Sequence, residues 1–173
     1  TDPSYKGQIV CMTYPLIGNY GVNGEDIESK GVHAEGFIVK EKSRIVSNWR
    51  AGKSLEDYLK ENNVTGIEGV DTRAITRHLR ITGSMKGVIS SSDFDKDSLA
   101  SKLKNFPSIM GRDLVREVSG NQAYDWEESL PAASSLPPAP YTIAVIDCGV
   151  KYSILRHLKA QFKEVKVVPA NSS

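Results

Sequence analysis

Three groups of residues in this 173-residue chain have types and spacings that could do chemistry. The first is Ser4, inside the phrase Thr1-Asp2-Pro3-Ser4-Tyr5. Asp and Ser fold back on their own backbone and Pro fixes φ, so the phrase is a turn. A serine hydroxyl both donates and accepts; it either satisfies its own turn or is offered to a ligand with amide and carboxylate groups. No histidine lies in a usable motif near it, which suits binding rather than nucleophilic attack. The second is Cys148, where an apolar run gives way to a helical pattern. Nucleophile elbows occupy such turns, and a helix amino terminus favours thiolate. An elbow needs small residues on both sides, however, and Asp147 precedes Cys148 with a carboxylate that disfavours thiolate. Cys148 therefore reads as a small packed residue. The third group is Arg73, Arg77 and Arg80, spaced i, i+4, i+7 on one helix face. Such a stripe can grip phosphate or an acidic partner surface; the plainer reading, favoured here, is a solvated face paired with nearby acids.

Other clusters are weaker. The glycine-rich loop Gly18–Gly24 lacks both G-x-G-x-x-G and the Walker Lys-Ser/Thr pair, so it reads as a turn. Glu25, Asp26 and Glu28 read as solvated acids. His33, His78 and His157 stand at no metal-ligand spacing, and no metal is expected on this chain. Cys11 and Cys148 form no C-x-x-C pair, and a disulfide is not expected, because chains with few cysteines are usually cytosolic and reduced. A cytoplasmic location follows as an expectation. Lys plus Arg number 22 and Asp plus Glu 21, a net charge of +1, which gives no support for nucleic acid or an anionic membrane as partner. Hydrophobic residues at 39% and charged residues at 25% describe a globular chain. No apolar run approaches the ~18 residues of a membrane span, and no secretory signal is visible.

The elements that must position these groups alternate. Strands are expected at Gly7–Pro15, Val32–Lys40, Arg44–Trp49, Gly66–Val70 and Lys86–Ser90, with a polar turn at Lys42-Ser43 and a loop over Tyr20–Gly31. Ser54 caps a helix Leu55–Glu61. Asp71 or Thr72 caps a second, which runs through Arg80 and ends at Gly83. A third covers Asp95–Lys104. Asp113–Val118 and Tyr124–Glu127 are too short to assign. Glu128–Pro140, ESLPAASSLPPAP, reads as an extended Pro-rich connector. Beyond it, Tyr141–Ile146 suits a parallel strand buried on both faces. Val150–Ala160 follows as a helix with Ile154, Leu155 and Leu158 inward, and Val165–Val168 starts another strand. This is how a doubly wound α/β domain begins.

The phrases TDPSYKGQIV, TYPLIGNYGVN, ES-x-x-VHAEGFIV, SNWR, SLEDYLKENNV, GVDTRAITRHLR and AVIDCGVKYSILRHL occur in this order along nearly the whole chain. Together they resemble the small, glutamine-hydrolysing subunit of carbamoyl phosphate synthetase: its amino-terminal domain and the start of its class I amidotransferase domain. The resemblance implies a mixed α/β chain, with a swivelling β/β/α-type domain over 1–127, a linker over 128–140, and the first β-α-β of a flavodoxin-like domain over 141–173. It implies that the complete subunit hydrolyses glutamine to glutamate and ammonia through a cysteine thioester. The ammonia would pass to a large subunit that binds ATP and divalent metal and makes carbamoyl phosphate for arginine and pyrimidine synthesis. Ser4 matches the family serine that contacts glutamine. The family's catalytic cysteine lies in a G-x-C-x-G-x-Q phrase, with a His and Glu pair later still; none is found here, so no catalytic residue is assigned and these 173 residues alone are expected to be inactive. Two alternatives stand beside this reading: a non-catalytic binding or scaffold domain of the same fold, and a small thiol or redox protein using Cys148.

Overall fold

The computed structural model describes residues 1–130 and 137–172 as a mixed α/β chain. Residues 131–136, the middle of the expected Pro-rich connector, lie outside the described residues. The chain forms two compact units, one made of Gly7–Asp26 and His33–Arg112, the other of Thr1–Lys6, Ile27–Val32 and Asp113–Ser173.

The larger unit holds a parallel sheet of β1 (Ile9–Cys11), β3 (Gly36–Ile38) and β5 (Thr65–Ile67), in the order β1-β3-β5. A second parallel pair joins β2 (Leu16–Ile17) to β4 (Glu41–Lys42). Three helices follow the sequence signals for their ends. In α1 (Leu55–Glu61), the Ser54 Oγ accepts from the Asp57 amide at 3.1 Å. In α2 (Thr72–Thr82), Asp71 Oδ1 accepts from the Ala74 amide at 2.9 Å, and Gly83 closes the helix at φ +88°. In α3 (Lys96–Asn105), Asp95 accepts from the amides of Asp97 and Ser98. Each cap satisfies an orphan amide of the first turn.

Two expected strands do not form. In Arg44–Trp49 the exposed Ile45 and Trp49 alternate with half-buried Val46 and Asn48, but among the described residues no neighbouring strand ladders with them, and the Asn48 side chain folds back onto the Arg50 amide at 2.8 Å. The ladder forms instead at Glu41–Lys42, partly where the polar turn was expected. Lys86–Ser90 has no ladder either. It lies beside the sheet through side chains: a Cβ on Gly36 would come within 3.0 Å of Ile89 Cδ1, and one on Gly87 within 3.4 Å of Ile9 Cδ1.

The smaller unit contains a 3-10 turn at Pro3–Tyr5, α4 (Leu114–Val118), β6 (Tyr124–Asp125), β7 (Ala139–Asp147), α5 (Tyr152–Gln161) and β8 (Phe162–Pro169). Its sheet order is β6-β8-β7; β7 and β8 run parallel around α5, and β6 is antiparallel to β8. Trp126, Leu155, Val165 and Val167 form the buried cluster, with Ile143, Val145 and Leu158 against it. The Trp126 and Tyr152 rings meet at 4.8 Å. β7 is parallel, as expected, but it is not buried on both faces: Tyr141 is 68% and Ile146 63% exposed. Among the described residues it pairs with β8 alone and stands at the sheet edge. Ile154 is 48% exposed and turns away from the core that Leu155 enters.

Candidate functional site

Ser4 sits in the middle of the 3-10 turn, whose cap is Asp2. The Ser4 amide donates to Asp2 Oδ1 at 2.9 Å, and its hydroxyl bonds the same carboxyl. Lys151 Nζ lies 3.6 Å from Asp2 Oδ2. Partial burial pushes the Asp2 carboxyl up, but the Ser4 amide and hydroxyl and the Lys151 ammonium together hold it below its ordinary value. Pro3 is buried, whereas Ser4 and Tyr5 are exposed. The turn thus anchors one residue and presents the next.

The anchor is the turn between β7 and α5. Asp147, at 7% exposure, accepts from the amides of Gly149 (3.0 Å) and Val150 (3.1 Å) through Oδ1, and from Gly120 (2.7 Å) through Oδ2. Gly149 has φ +92°; a Cβ there would lie 2.8 Å from Val118 Cγ2 and 3.0 Å from Pro3 Cβ. Glycine is required at this position both for its backbone and for that close approach. The carboxylate beside Cys148 is therefore committed to backbone amides. Cys148 itself is a free and exposed thiol, contrary to the packed residue expected of it: Asp147 points inward to hold the turn, which leaves the next side chain facing out. Cys11 is also free, and its Sγ lies 3.8 Å from the Thr72 carbonyl. His157 is exposed on α5, and no hydrogen bond joins it to Cys148.

Sequence reasoning missed Glu28. The first residue before α5, Lys151, provides no side-chain cap. Glu28 takes over that role from 125 positions away: its carbonyl accepts from the Tyr152 amide at 3.0 Å and its Oε2 from the Ser153 amide at 2.8 Å. The Glu28 amide donates to Thr1 Oγ1 at 3.0 Å, and Ser29 Oγ donates to the Thr1 carbonyl. Residues 27–32 thereby tie the Ser4 turn and the helix start into one unit. Glu25 and Asp26 are not merely solvated either; in the larger unit both pair with Arg50, at 2.9 and 3.6 Å.

Elsewhere in the larger unit, a cleft of about 260 Å³ opens between α1 and the sheet, floored by Phe37, Val39, Leu59 and Ile67. Its rim charges are satisfied by one another, with Glu56 held between Lys42 and Lys60. Arg73, Arg77 and Arg80 share the exposed face of α2 as expected, but none pairs with an acid among the described residues. No group of three His, Cys, Asp or Glu side chains suited to a metal occurs among the described residues. No described helix is long and apolar enough to cross a membrane.

Around Ser4 the structure sets a presented hydroxyl in front of the Asp2–Lys151 pair, with no assembled nucleophile and base among the described residues. The family model described as carbamoyl-phosphate synthase small chain, CPSase domain, matches residues 1–89. Proteins named carbamoyl phosphate synthase small chain match far more of the sequence. That of Syntrophotalea carbinolica is 50% identical over 99% of this chain and 47% of its own length. That of Aquifex aeolicus is 51% identical over 100% of this chain and 48% of its own. That of Thermotoga maritima is 50% identical over 98% and 41%. The chain spans about half the length of the curated relatives it matches. With the family model covering more than half of its residues, the chain belongs to the carbamoyl-phosphate synthase small chain family.

Proposed function

We propose that these residues work as part of a glutamine-hydrolysing small chain, which releases ammonia from glutamine for a large chain that makes carbamoyl phosphate. In this reading, residues 1–127 are the small-chain amino-terminal domain, of the swivelling β/β/α type. Residues 141–173 open a flavodoxin-like amidotransferase domain, with the Pro-rich stretch 128–140 between them. The reacting thiol, its base and the oxyanion donors belong to polypeptide of the kind that makes up the other half of the relatives. ATP and divalent metal belong to the large chain. The assembly works in the cytoplasm.

Ser4 is then one wall of the glutamine pocket. The observation that carries this is the placement of the Ser4 turn: Pro3 is seated on the Gly149 turn, which opens α5, and the Ser4 side chain is left presented. Its hydroxyl already bonds the Asp2 carboxyl. A hydroxyl oxygen keeps acceptor capacity when it donates, so it can still take a bond from the glutamine amide or ammonium.

Ser4→Ala in a full-length small chain should weaken kcat/KM for glutamine by about fivefold, corresponding to roughly 1 kcal/mol for one neutral hydrogen bond. The loss should appear mainly in KM, because the hydroxyl binds and does not react. Steady-state glutaminase kinetics decide it; unchanged kcat and KM would remove Ser4 from the pocket. The 173-residue polypeptide by itself should show only background glutamine hydrolysis, and turnover abolished by Cys148→Ser would assign the chemistry to that exposed thiol instead.

A further inference from the structure

α2 runs Thr72–Thr82 as TRAITRHLRIT, with three arginines and no acid. Asp71, immediately before it, is engaged in capping the Ala74 amide. At about 100° per residue, Arg73, Arg77 and Arg80 fall within roughly 60° of one another around the helix. All three are exposed, and none has an ion-pair partner among the described residues. In the same unit Lys42, Arg50, Lys53, Lys60 and Lys102 each pair with a carboxylate, whereas Lys40, Arg44, Lys86, Lys96 and Lys104 do not among the described residues. What sets α2 apart is the gathering of three such cations on one helix face with no acid among them.

The arrangement is costly for an isolated helix. Arg73 and Arg77 are like charges at i, i+4, which destabilise a helix. Arg73 also stands in the first turn, at the positive end of the helix dipole. An anionic partner would relieve both. Ile81 indicates what kind of anion. It follows Arg77 by four positions, so it lies next to the stripe, and it is 81% exposed. A free phosphate gains nothing from an exposed isoleucine, and the near-neutral chain lacks the broad positive field that nucleic acid rewards. A protein surface that sets carboxylates beside an apolar side chain satisfies both features.

We propose that the outer face of α2 is the docking surface for a carboxylate-bearing stretch of the large chain. The inference rests on the reading that this chain assembles with a large chain. Rises of about 6 Å from Arg73 to Arg77 and 4.5 Å from Arg77 to Arg80 match carboxylates spaced i, i+4, i+7 on a partner helix. Arginine suits the task because its planar fork takes a carboxylate in two parallel bonds.

The test measures assembly of the full-length small chain with the large chain, at low and high salt. Combined R73E, R77E and R80E should raise Kd by about 10–100-fold at low salt and flatten its salt dependence, as reversal of interface charges does. The triple Arg→Lys variant should keep most of the affinity, and K104E, on α3, should leave it unchanged. Circular dichroism should show the helix retained, since Glu and Arg have similar helix propensity. Arginine modification by phenylglyoxal should be blocked at these positions only after the large chain is added. An unchanged Kd in the Glu variant overturns the proposal, even if the variant loses binding to a DNA probe. So does protection in the small chain alone, which would mean that its own polypeptide covers the face. If the unsubstituted small chain fails to bind the large chain at all, the functional reading falls first and this surface with it.

Discussion

Ser54, Asp71 and Asp95 cap their helices because a side-chain oxygen one turn from an orphan amide needs nothing distant to work. Cys148 is exposed for a less local reason. Its neighbour Asp147 could be seen, but the amides of Gly120, Gly149 and Val150 that draw Asp147 inward could not all be seen, and they leave the thiol outside. Asp93 shows how far local charge can act on a half-buried carboxylate. Lys102 and the Ser98 hydroxyl donate to its Oδ2, and the Asp95 amide donates to its Oδ1. These bonds, the Lys102 ammonium first among them, pull its pKa from an ordinary 3.8 to about 2. A depressed carboxylate stabilises the fold at every pH above its unfolded value. That contribution fades as pH falls from there through the folded value. The carboxyl carbon of Asp93 should therefore titrate near pH 2 in an NMR experiment at low salt, and Lys102→Met should move the midpoint upward. A midpoint near 4 in the unsubstituted chain would show that the cluster does not hold.

Elements were legible where period and cap agreed, and were lost where a tertiary neighbour decided. α1 was placed to the residue, and α2 and α3 to within two, because each has a cap and a periodic face. The stretches Arg44–Trp49 and Lys86–Ser90 carry apolar residues that look like strands, but a strand also needs a partner edge, and pairing is not written locally. β7 reads as a fully buried strand from its composition; its exposure reflects its place at the edge of a sheet in which, among the described residues, only β8 adjoins it. The start of α5 is the clearest case of distant control. Local sequence offers no cap, and Glu28 provides one from 125 positions away. Glu28→Ala should therefore cost about 0.5–2 kcal/mol, the range for loss of an amino-terminal cap. Thermal unfolding followed by tryptophan fluorescence would register it, because Trp126 packs against the first residue of α5, Tyr152. Glu28→Gln should recover part of the loss, since an amide oxygen still accepts from the Ser153 amide. An unchanged Tm in Glu28→Ala would mean that the backbone bond from Tyr152 to the Glu28 carbonyl is sufficient alone.

For the whole molecule, composition and surface pull in different directions. Balanced charge and moderate hydrophobicity identified a globular chain from the sequence alone. What composition cannot say is which apolar side chains remain outside. Among the described residues Trp49 is 92% exposed, and Phe94 and Met110 are also largely exposed. Isolated apolar side chains are ordinary on a protein surface, and they become a liability when electrostatic repulsion is weak. Here it is weak at neutral pH, with a net charge of +1 and an isoelectric point near 7.7. The polypeptide should therefore associate most strongly close to pH 7.7 and least at pH values well below it, where carboxylates begin to protonate and net positive charge builds. Salt should act strongly in one regime and weakly in the other. Well below the isoelectric point, added salt screens repulsion and promotes association; near it there is little repulsion to screen. Light scattering across pH at two ionic strengths separates these cases. Scattering that is flat with pH would show that shape complementarity between apolar patches, rather than net charge, governs how copies meet. Substituting Trp49→Lys, which removes the most exposed aromatic and adds charge, should then reduce it at every pH.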